Sequence, residues 1–323
     1  MSLSSNHKPF VSVLVPVYGV ERYIADCARS LLAQCETDAE FLFIDDASPD
    51  NSIARLQEVL AACPERAARA RILHHDRNRG LAAARRTAIE AAQGEYILHV
   101  DSDDFLNDDL ALARLSAEAR RTDADLVFGG YCEHSSAGER RTAAPQPDRR
   151  WILHHLLRQD FRVGNRIWGI LIRRSLHTGY GLCPVEGLNF AEDYALLPRL
   201  VYHAAGIAAV DRPLYAYRTA NAASYMNTLS ERSVEAYIEA NRLITEFIRR
   251  QPDSLRWQRE LTLGKLNVAK WILKRGYSPA RYRDRLFGPD DLPRGPLQRL
   301  YAAALRTERL PLVQAVAALV NAL

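Results

Sequence analysis

A repeated alternation of short apolar runs with amphipathic segments constrains the fold of this chain more than any other feature. Residues 11–15 and 41–44 are runs of β-branched and aromatic residues, each followed by apolar residues at helical spacing. The same order returns with residues 72–73 and 96–100, and a fifth strand is predicted at 126–128. This β-α-β-α-β-α-β order predicts an α/β fold with a mostly parallel, doubly wound sheet flanked by helices.

Beyond Gly130 the pattern loosens, and from Ser230 onward only helical spacing remains. The elements predicted between these points are a polar loop at 135–150, a strand at 170–172, a helix at 194–203 and two closing strands at 207–210 and 214–217. A boundary near 221–230 follows. The sequence thus predicts a domain over residues 1–220, whose first part at about 10–130 gives way to a second part at about 131–220 where the pattern loosens. A helical C-terminal region at 221–323 completes the chain.

The positive charge is concentrated towards the C-terminus. The formal net charge is +4, yet the chain from Gln251 onward carries 13 Lys and Arg against 6 Asp and Glu. Residues 270–287 interleave basic side chains with Trp271 and Tyr282. Weak peripheral contact with an anionic membrane surface is one interpretation, and a solvated basic face with buried aromatics is the other. No recognised nucleic-acid-binding module accompanies the charge, so no nucleic-acid partner is expected.

Neither a signal peptide nor a membrane span is expected. The N-terminus lacks a basic stretch followed by an apolar one, and the longest uncharged run, residues 310–323, is shorter than the roughly 20 residues of a membrane span. The five cysteines are scattered without a CxxC pair, which predicts reduced thiols. We therefore expect a cytoplasmic protein, peripheral at the inner membrane face if the basic segment binds lipid.

Acidic residues follow the predicted strand at 96–100. Asp101 and Asp103 are two positions apart, which puts both carboxylates on one side of an extended segment, and Asp104 follows directly. Ligands of such sheets bind at the carboxyl ends of the strands, and Mg²⁺ is held by one or two carboxylates plus substrate phosphates. These residues therefore predict a metal-bridged diphosphate. Capping of the next helix is the alternative.

Two further segments should reach the same edge of the sheet. Pro16 and Tyr18 follow the first strand, and Asp45 and Asp46 follow the second. One of these carboxylates is suited to accept hydrogen bonds from a nucleotide base or ribose, and a solvated turn is the alternative. The neighbouring histidines His74–His75 show no metal-ligand spacing and are interpreted as structural or surface residues.

Several stretches resemble the family 2 glycosyltransferases in order and spacing over roughly residues 10 to 220. They are SVLVPVYGVERYI from Ser12, FIDDASPDNS from Phe43, NRGLAAARRTAI from Asn78, GEYILHVDSDDFL from Gly94, WGILIRRS from Trp168, FAEDYAL from Phe190 and DRPLYAYR from Asp211. The resemblance implies a GT-A fold, with a nucleotide-binding half at about 10–130 and an acceptor half at about 131–220. It also implies inverting transfer from a nucleotide-diphosphate sugar, most often a UDP-sugar. The acceptor it implies is a hydroxyl of a glycan or glycolipid in polysaccharide or glycolipid assembly, and the cofactor is Mn²⁺ or Mg²⁺.

The resemblance also implies roles for individual residues. The implied donor and nucleotide contacts are Pro16, Tyr18, Glu21, Asp45, Asp46, Asn78, Gly80, Arg85, Asp101 and Ser102. Asp103 is the implied metal ligand, with Asp101 and Asp104 nearby, and Asp193 is the implied general base. Without the resemblance, Glu192 and Asp193 are explained as well by the preference of acidic residues for a helix start. The chain departs from the family pattern at Gly19, Ala47, Arg86 and Ile170.

Other functions stay open. A sugar-nucleotidylyltransferase also combines an α/β sheet with acidic metal ligands, but it would favour a glycine-rich basic loop where this chain has Pro16 and Tyr18. A dinucleotide-dependent oxidoreductase would need a GxGxxG after a strand, and none occurs. A nucleotide-sugar-binding protein without catalysis is the alternative from a different class.

Overall fold

The computed structural model describes residues 8–136, 138–219, 230–288, 291 and 293–322. These residues form two compact units. Unit 1 comprises the described residues of Met1–Arg149, Ile167–Asn189 and His203–Thr228, and unit 2 those of Arg150–Arg166, Phe190–Tyr202 and Leu229–Leu323. Two segments of the predicted acceptor half therefore group with the C-terminal helices. The predicted boundary near 221–230 lies, apart from Ser230, outside the described residues, and the predicted division at residue 220 stays a prediction.

Unit 1 contains a nine-stranded mixed sheet. The strands are β1 (Val11–Val17), β2 (Ala39–Asp45), β3 (Ala70–His74), β4 (Tyr96–His99), β5 (Phe105–Leu106), β6 (Leu126–Ser135), β7 (Gly138–Thr142), β8 (Ile170–Arg173) and β9 (Ile207–Arg218). Their order is β3-β2-β1-β4-β8-β6-β9-β5, with β7 paired to β6. The first four strands are all parallel, and β6 and β9 form a further parallel pair. The predicted α/β fold is confirmed.

Helices make up most of the remaining described chain. They are α1 (Ile24–Leu32), α2 (Ser52–Ala62), α3 (Pro64–Ala67), α4 (Leu81–Ala91), α5 (Ala111–Thr122), α6 (Arg149–Arg158), α7 (Arg174–Tyr180), α8 (Glu192–His203), α9 (Glu231–Arg249), α10 (Gln258–Lys274), α11 (Arg283–Leu286), α12 (Pro296–Arg306) and α13 (Leu310–Ala322). Single 3-10 turns occur at Ser254–Trp257 and Pro279–Tyr282. No helix within the described ranges is long and apolar enough to cross a membrane.

Alternation of side chains along the parallel strands produces two apolar layers. Val13 and Val15 contribute to a core that includes residues of α1, α2 and α5, whereas Leu14 packs in a second core with residues of α4. Phe43 and Leu42 of β2 divide between the layers in the same way. Continuous apolar runs are thus required, because both faces of these strands are covered.

Pro16 lies inside β1, although the sequence predicted it in the loop after the strand. Val100 N donates to Leu14 O at 3.0 Å, so alternate residues of β1 face β4. The pairing of β1 with β4 ends at Leu14 and His99. A proline two residues further on removes no ladder hydrogen bond, and the strand continues to Val17 beside β2.

Two predictions for the second half of the sheet were wrong. The predicted polar loop contains β7, an exposed strand held to β6 partly by Arg140 and Glu133, whose polar sequence lacks the apolar alternation of a half-buried strand. The predicted closing pair of strands is the single strand β9. Its register with β6 shifts around Gly129 and Gly130, so the chain passes Pro213 without leaving the sheet.

Unit 2 is helical, as predicted for its C-terminal part. The buried residues of α9 recur at helical spacing from Val234 to Ile248. The middle of α10 is buried on nearly all sides, and a Cβ on Gly264 would lie closer to the backbone of Leu157 than real contacts allow. Glycine there lets α10 and α6 approach closely.

Candidate functional site

The loops that follow β1 and β2 are joined by hydrogen bonds. Gly19 N donates to Ser48 Oγ at 2.9 Å, Val20 N to Ser52 Oγ at 2.9 Å, and Glu21 N to Asp50 Oδ2 at 3.0 Å. In return, Asn51 N donates to Glu21 Oε2 at 3.1 Å. We call Ser48, Asp50 and Ser52 the serine–aspartate latch. It fixes the backbone beside Tyr18, whose side chain is half exposed at the edge of the sheet.

Asp50 is the centre of this latch. Its carboxylate accepts hydrogen bonds from Ser48 Oγ, from the hydroxyl and N–H of Ser52, and from Glu21 N. Partial burial raises the pKa of Asp50, but the bonds from Ser52, Ser48 and Glu21 outweigh it, so the pKa lies below its ordinary value. Glu21, a predicted donor contact, is engaged with Asn51 and contributes to this arrangement.

Asp45 and Asp46 each pair with a histidine at the end of β3. His74 Nδ1 lies 2.8 Å from Asp45 Oδ2, and His75 Nδ1 lies 2.6 Å from Asp46 Oδ1. Asp46 is buried and also accepts the N–H of Arg79 at 2.8 Å and of Gly80 at 2.7 Å. Asp46 therefore fixes the backbone of the segment 78–85, which contains the predicted donor contacts Asn78, Gly80 and Arg85 and is called the donor segment below. The contact of Asp46 with a nucleotide base stays a prediction.

That segment turns sharply into α4 at Gly80. Gly80 has φ 88, and a Cβ there would lie 2.6 Å from Asn189 Cγ. Asn189 Oδ1 in turn accepts Ala82 N at 3.3 Å. The positive φ favours glycine, and a Cβ at this position would also force the side-chain amide of Asn189 to shift. Asn78, two residues earlier, is exposed.

Arg85 connects the donor segment with the acidic turn after β4. It is buried, and its Nη2 donates to Asp101 Oδ1 at 2.8 Å. His99 is fully buried nearby, and neither of its ring nitrogens has a hydrogen-bond partner in the described part of the chain. Burial, Arg85 and His177 hold the pKa of His99 well below its ordinary value, so the imidazole is neutral.

The acidic turn is built around Tyr215. Asp101 N donates to the Tyr215 hydroxyl at 3.0 Å, and that hydroxyl donates to Asp104 Oδ2 at 2.8 Å. Arg218 N donates to Asp104 Oδ1 at 2.7 Å. Asp104 is thus buried with both oxygens bonded to the protein, which makes it a structural residue of the turn. Ser102 is buried beside it, while Asp101 and Asp103 are half-buried.

The donor set of this turn fits a divalent cation that is shared with a ligand. Burial, and then the negative charges of Asp103 and Asp101, raise the pKa of Asp104 to about 9. The shift reflects how close the carboxyl groups of Asp101, Asp103 and Asp104 lie to one another at the end of β4, and carboxylate oxygens are the ligands that Mg²⁺ and Mn²⁺ prefer. No group of three or more His, Cys, Asp and Glu in the described ranges is arranged to hold a metal. Asp101 and Asp103 would hold an ion together with diphosphate oxygens.

Asp193 belongs to unit 2. It lies in the first turn of α8, half-buried, next to the buried Glu192. Ala191 immediately before the helix has φ 58, a left-handed conformation that is uncommon for alanine. Phe190 packs at 5.7 Å from Trp271 of α10, measured between ring centroids. The start of α8 is thus packed against α10 through Phe190. The role of Asp193 stays a prediction.

Several residues of this arrangement escape sequence reasoning. His75, the hydroxyl of Tyr215 and the amide of Asn189 carry no local spacing signal, because Asp46, Asp101 and Ala82, to which they are bonded, are between 29 and 114 positions away. The fully buried His99 has no hydrogen-bond partner among the described residues that could have signalled it. A cue did exist for Tyr215 and Arg218, since both lie in the DRPLYAYR stretch.

Comparison with known proteins agrees with this architecture. The sequence model described as Glycosyl transferase family 2 matches residues 12–177. The glycosyltransferase EpsJ of Bacillus subtilis (strain 168), itself uncharacterized, is 34% identical over 220 residues, which cover 65% of this chain and 61% of EpsJ. The chondroitin synthase of Escherichia coli is 34% identical over 171 residues, 49% of this chain and 23% of that protein. The chain thus spans less than two thirds of these relatives.

Among solved structures, residues 1–349 of S. aureus TarS align with a TM-score of 0.69 at 19% identity, covering 95% of this chain and 90% of that one. The likeness supports the predicted GT-A fold with a helical C-terminal region. The family match extends over half of the chain and includes β1, the acidic turn and β8. The chain belongs to glycosyl transferase family 2.

Proposed function

We propose that this protein is a metal-dependent, inverting glycosyltransferase that uses a UDP-sugar as donor. The observation that carries the proposal is the acidic turn after β4. Both carboxylate oxygens of Asp104 accept hydrogen bonds, one from the Tyr215 hydroxyl and one from Arg218 N. Asp101 and Asp103 of the same turn are half-buried. Such a turn is suited to an ion bridged to a diphosphate. A hydroxyl of a glycan or glycolipid is the proposed acceptor.

Ligands of related structures support the choice of donor and cofactor. TarS has been solved with UDP and with UDP-GlcNAc. A mannosyltransferase of Pyrobaculum calidifontis, with a TM-score of 0.56 at 15% identity, has been solved with GDP-Man and Mn²⁺. We infer Mn²⁺ or Mg²⁺ for this chain. Its cytoplasmic location and lack of a nucleic-acid partner stay predictions from the sequence.

Different residues have different roles in the proposed reaction. When bound, the divalent ion acts as a Lewis acid that offsets the negative charge of the diphosphate. Asp103 and Asp101 would hold the ion, and Arg85 orients Asp101. Asp193 takes the proton of the acceptor hydroxyl as its oxygen bonds to the anomeric carbon. The bond from that carbon to the diphosphate oxygen breaks on the opposite side, and the nucleoside diphosphate leaves with the electron pair.

The decisive experiment measures donor binding with and without metal. In thermal shift and calorimetry with UDP, several UDP-sugars and GDP-mannose, we expect UDP compounds to bind in Mn²⁺ and to lose affinity in EDTA. At a hundredfold excess of ligand over its dissociation constant, stability should rise by about 2.7 kcal/mol. Asp103→Asn should lose the metal-dependent part of this gain. Asp284→Asn, an exposed aspartate of α11, is the matched control.

Catalysis is tested separately by hydrolysis of the bound donor in the absence of acceptor. Metal-dependent hydrolysis supports a transferase, and tight donor binding without any hydrolysis or transfer would support the non-catalytic alternative. Donor binding by Asp103→Asn equal to that of the wild type in Mn²⁺ would overturn the metal assignment.

A further inference from the structure

The basic and aromatic segment at 270–287 is poorly placed to contact a membrane. Trp271 packs against Phe190 and, with ring centroids 5.0 Å apart, against Tyr237. Tyr282 is buried. Two of the arginines in this segment form ion pairs with α9: Arg281 with Glu231 and Arg285 with Glu235. The aromatic side chains stabilise unit 2, and the charges of Arg281 and Arg285 are compensated by carboxylates of α9.

A different face of unit 2 combines apolar exposure with unpaired charge. In α13, Val313, Ala317 and Val320 are buried, and no residue from Leu310 to Ala322 carries a charge. Leu312, Ala315, Leu319 and Ala322 recur at spacings of three and four, which places them on one stripe away from the buried residues. Leu312 and Leu319 are 44% and 52% exposed. A helix that is apolar all round is normally covered on both sides.

Exposed arginines lie on the neighbouring helix α12 and in its connection to α13. Arg299 and Arg306 are seven residues apart on α12 and share its exposed face, and Arg309 is exposed in the connection to α13. None of the three has a carboxylate partner among the residues that the structure describes. Leu300, beside Arg299, is 46% exposed. We call Arg299, Leu300, Arg306, Arg309, Leu312 and Leu319 the outer α12–α13 face.

The hairpin of α12 and α13 is firmly attached through its inner side. Asn267 of α10 receives the Tyr301 hydroxyl at 2.9 Å and the Asn321 side-chain amide at 3.1 Å on the same oxygen. Buried polar groups paired in this way fix the rotation of both helices. The outer α12–α13 face is therefore a defined surface of the folded unit and not a product of local unfolding.

We propose that the outer α12–α13 face binds the surface of an anionic lipid bilayer. Leucines would enter the boundary between headgroups and acyl chains, and the arginines would contact lipid phosphates. Charge favours this occupant over a second copy of the chain, because a self-complementary contact would bring arginines against arginines. The only carboxylate between residues 293 and 322 is Glu308, which accepts the Ser278 hydroxyl.

The binding should be weak, reversible and dependent on salt. A short helix buries little apolar area, and each basic residue near an anionic surface contributes about fivefold to partitioning. This contribution falls as salt shortens the screening length. The proposal concerns residues outside the predicted donor and base sites, so it can fail while the proposed transferase function holds.

Cosedimentation of the full chain with vesicles tests the proposal. We expect binding to phosphatidylcholine vesicles that contain phosphatidylglycerol at low salt, less binding at high salt, and none to phosphatidylcholine alone. The double variants Leu312→Glu/Leu319→Glu and Arg306→Glu/Arg309→Glu should each reduce binding, the second by at least about 25-fold. Donor binding and the melting temperature should stay at the wild-type level in both.

Two controls separate this face from general charge and hydrophobicity. Leu255→Glu alters a leucine that is 87% exposed elsewhere in unit 2, and Arg283→Glu alters an exposed arginine of the 270–287 segment. Both should bind vesicles like the wild type. The proposal is overturned if the wild type ignores phosphatidylglycerol, or if Arg283→Glu loses as much binding as the double variants. It is also overturned if sedimentation velocity shows a dimer that Leu312→Glu/Leu319→Glu dissociates while vesicles remain unbound.

Discussion

At the scale of single residues, the predicted site carboxylates differ in burial and in surroundings. Asp46 and Asp104 are buried and bonded by backbone N–H groups, so they shape the turns that contain them. Asp101 is held by Arg85, and Asp103 and Asp193 are half-buried. The type of residue is the same in every case, and only the environment separates the roles.

Asp193→Asn should abolish most transfer while preserving donor binding. A general base that takes a proton in the transition state typically contributes about 10²–10⁴ in rate. We expect kcat to fall by at least the lower figure, with nucleotide and Mn²⁺ affinity unchanged, measured with the true acceptor. Glu192→Gln is the neighbouring comparison. Transfer by Asp193→Asn close to the wild-type rate would remove the assignment and make Glu192 the next candidate.

Gly80→Ala should destabilise unit 1 more than an equivalent change at another left-handed glycine. Gly80 combines φ 88 with the close approach of Asn189, whereas Gly276 has φ 83 with open space around it. Strain alone costs about 1–3 kcal/mol. We expect Gly276→Ala to stay within that range, as measured by denaturant unfolding, and Gly80→Ala to exceed it. If Asn189→Ala does not relieve the extra cost in the double variant, the clash is not its source.

At the scale of elements, the serine–aspartate latch makes the loops after β1 and β2 a single structure. Side-chain oxygens of the latch accept the N–H groups of Gly19, Val20 and Glu21 and so fix the backbone of the first loop against the second. The predicted donor contact at Tyr18 therefore depends on a segment about thirty residues further along the chain.

Asp50→Asn should lower the stability of the fold and weaken donor binding. Loss of a charged acceptor for several donors costs about 1–3 kcal/mol. Because the folded-state pKa of Asp50 lies below its ordinary value, its contribution is present above the unfolded pKa and is lost as pH falls through the folded pKa. The difference from wild type should thus shrink in acid. A stability loss with unchanged UDP affinity would show that the latch is not part of the donor site.

At the scale of the whole molecule, the predicted donor residues are spread over about ninety positions of unit 1, and bound donor should protect them together. Hydrogen exchange with UDP and Mn²⁺ should slow at residues 16–21, 45–52, 78–86 and 101–104. The helices α12 and α13 serve as the internal control and should be unchanged. Protection confined to one of the four segments would contradict a shared site.

The sequence by itself determined the parallel half of the sheet and the acidic turn. Continuous apolar runs that alternate with helical spacing have few other solutions, and a carboxylate cluster that follows a buried strand can only lie at the edge of the sheet. Ordered motifs supplied the family, which the family match confirmed. These signals are local, because each depends on neighbours within a few residues.

Only the tertiary structure decided which polar groups meet. β7 escaped prediction because its polar residues gain stability from cross-strand pairs, and β9 because a bulge opposite Gly130 carries it past Pro213. The partners of Asp46, Asp101 and Asp104 come from distant segments. The outer α12–α13 face likewise depends on which side of an apolar helix is covered. Such contacts are set by packing across the whole chain, and no local pattern encodes them.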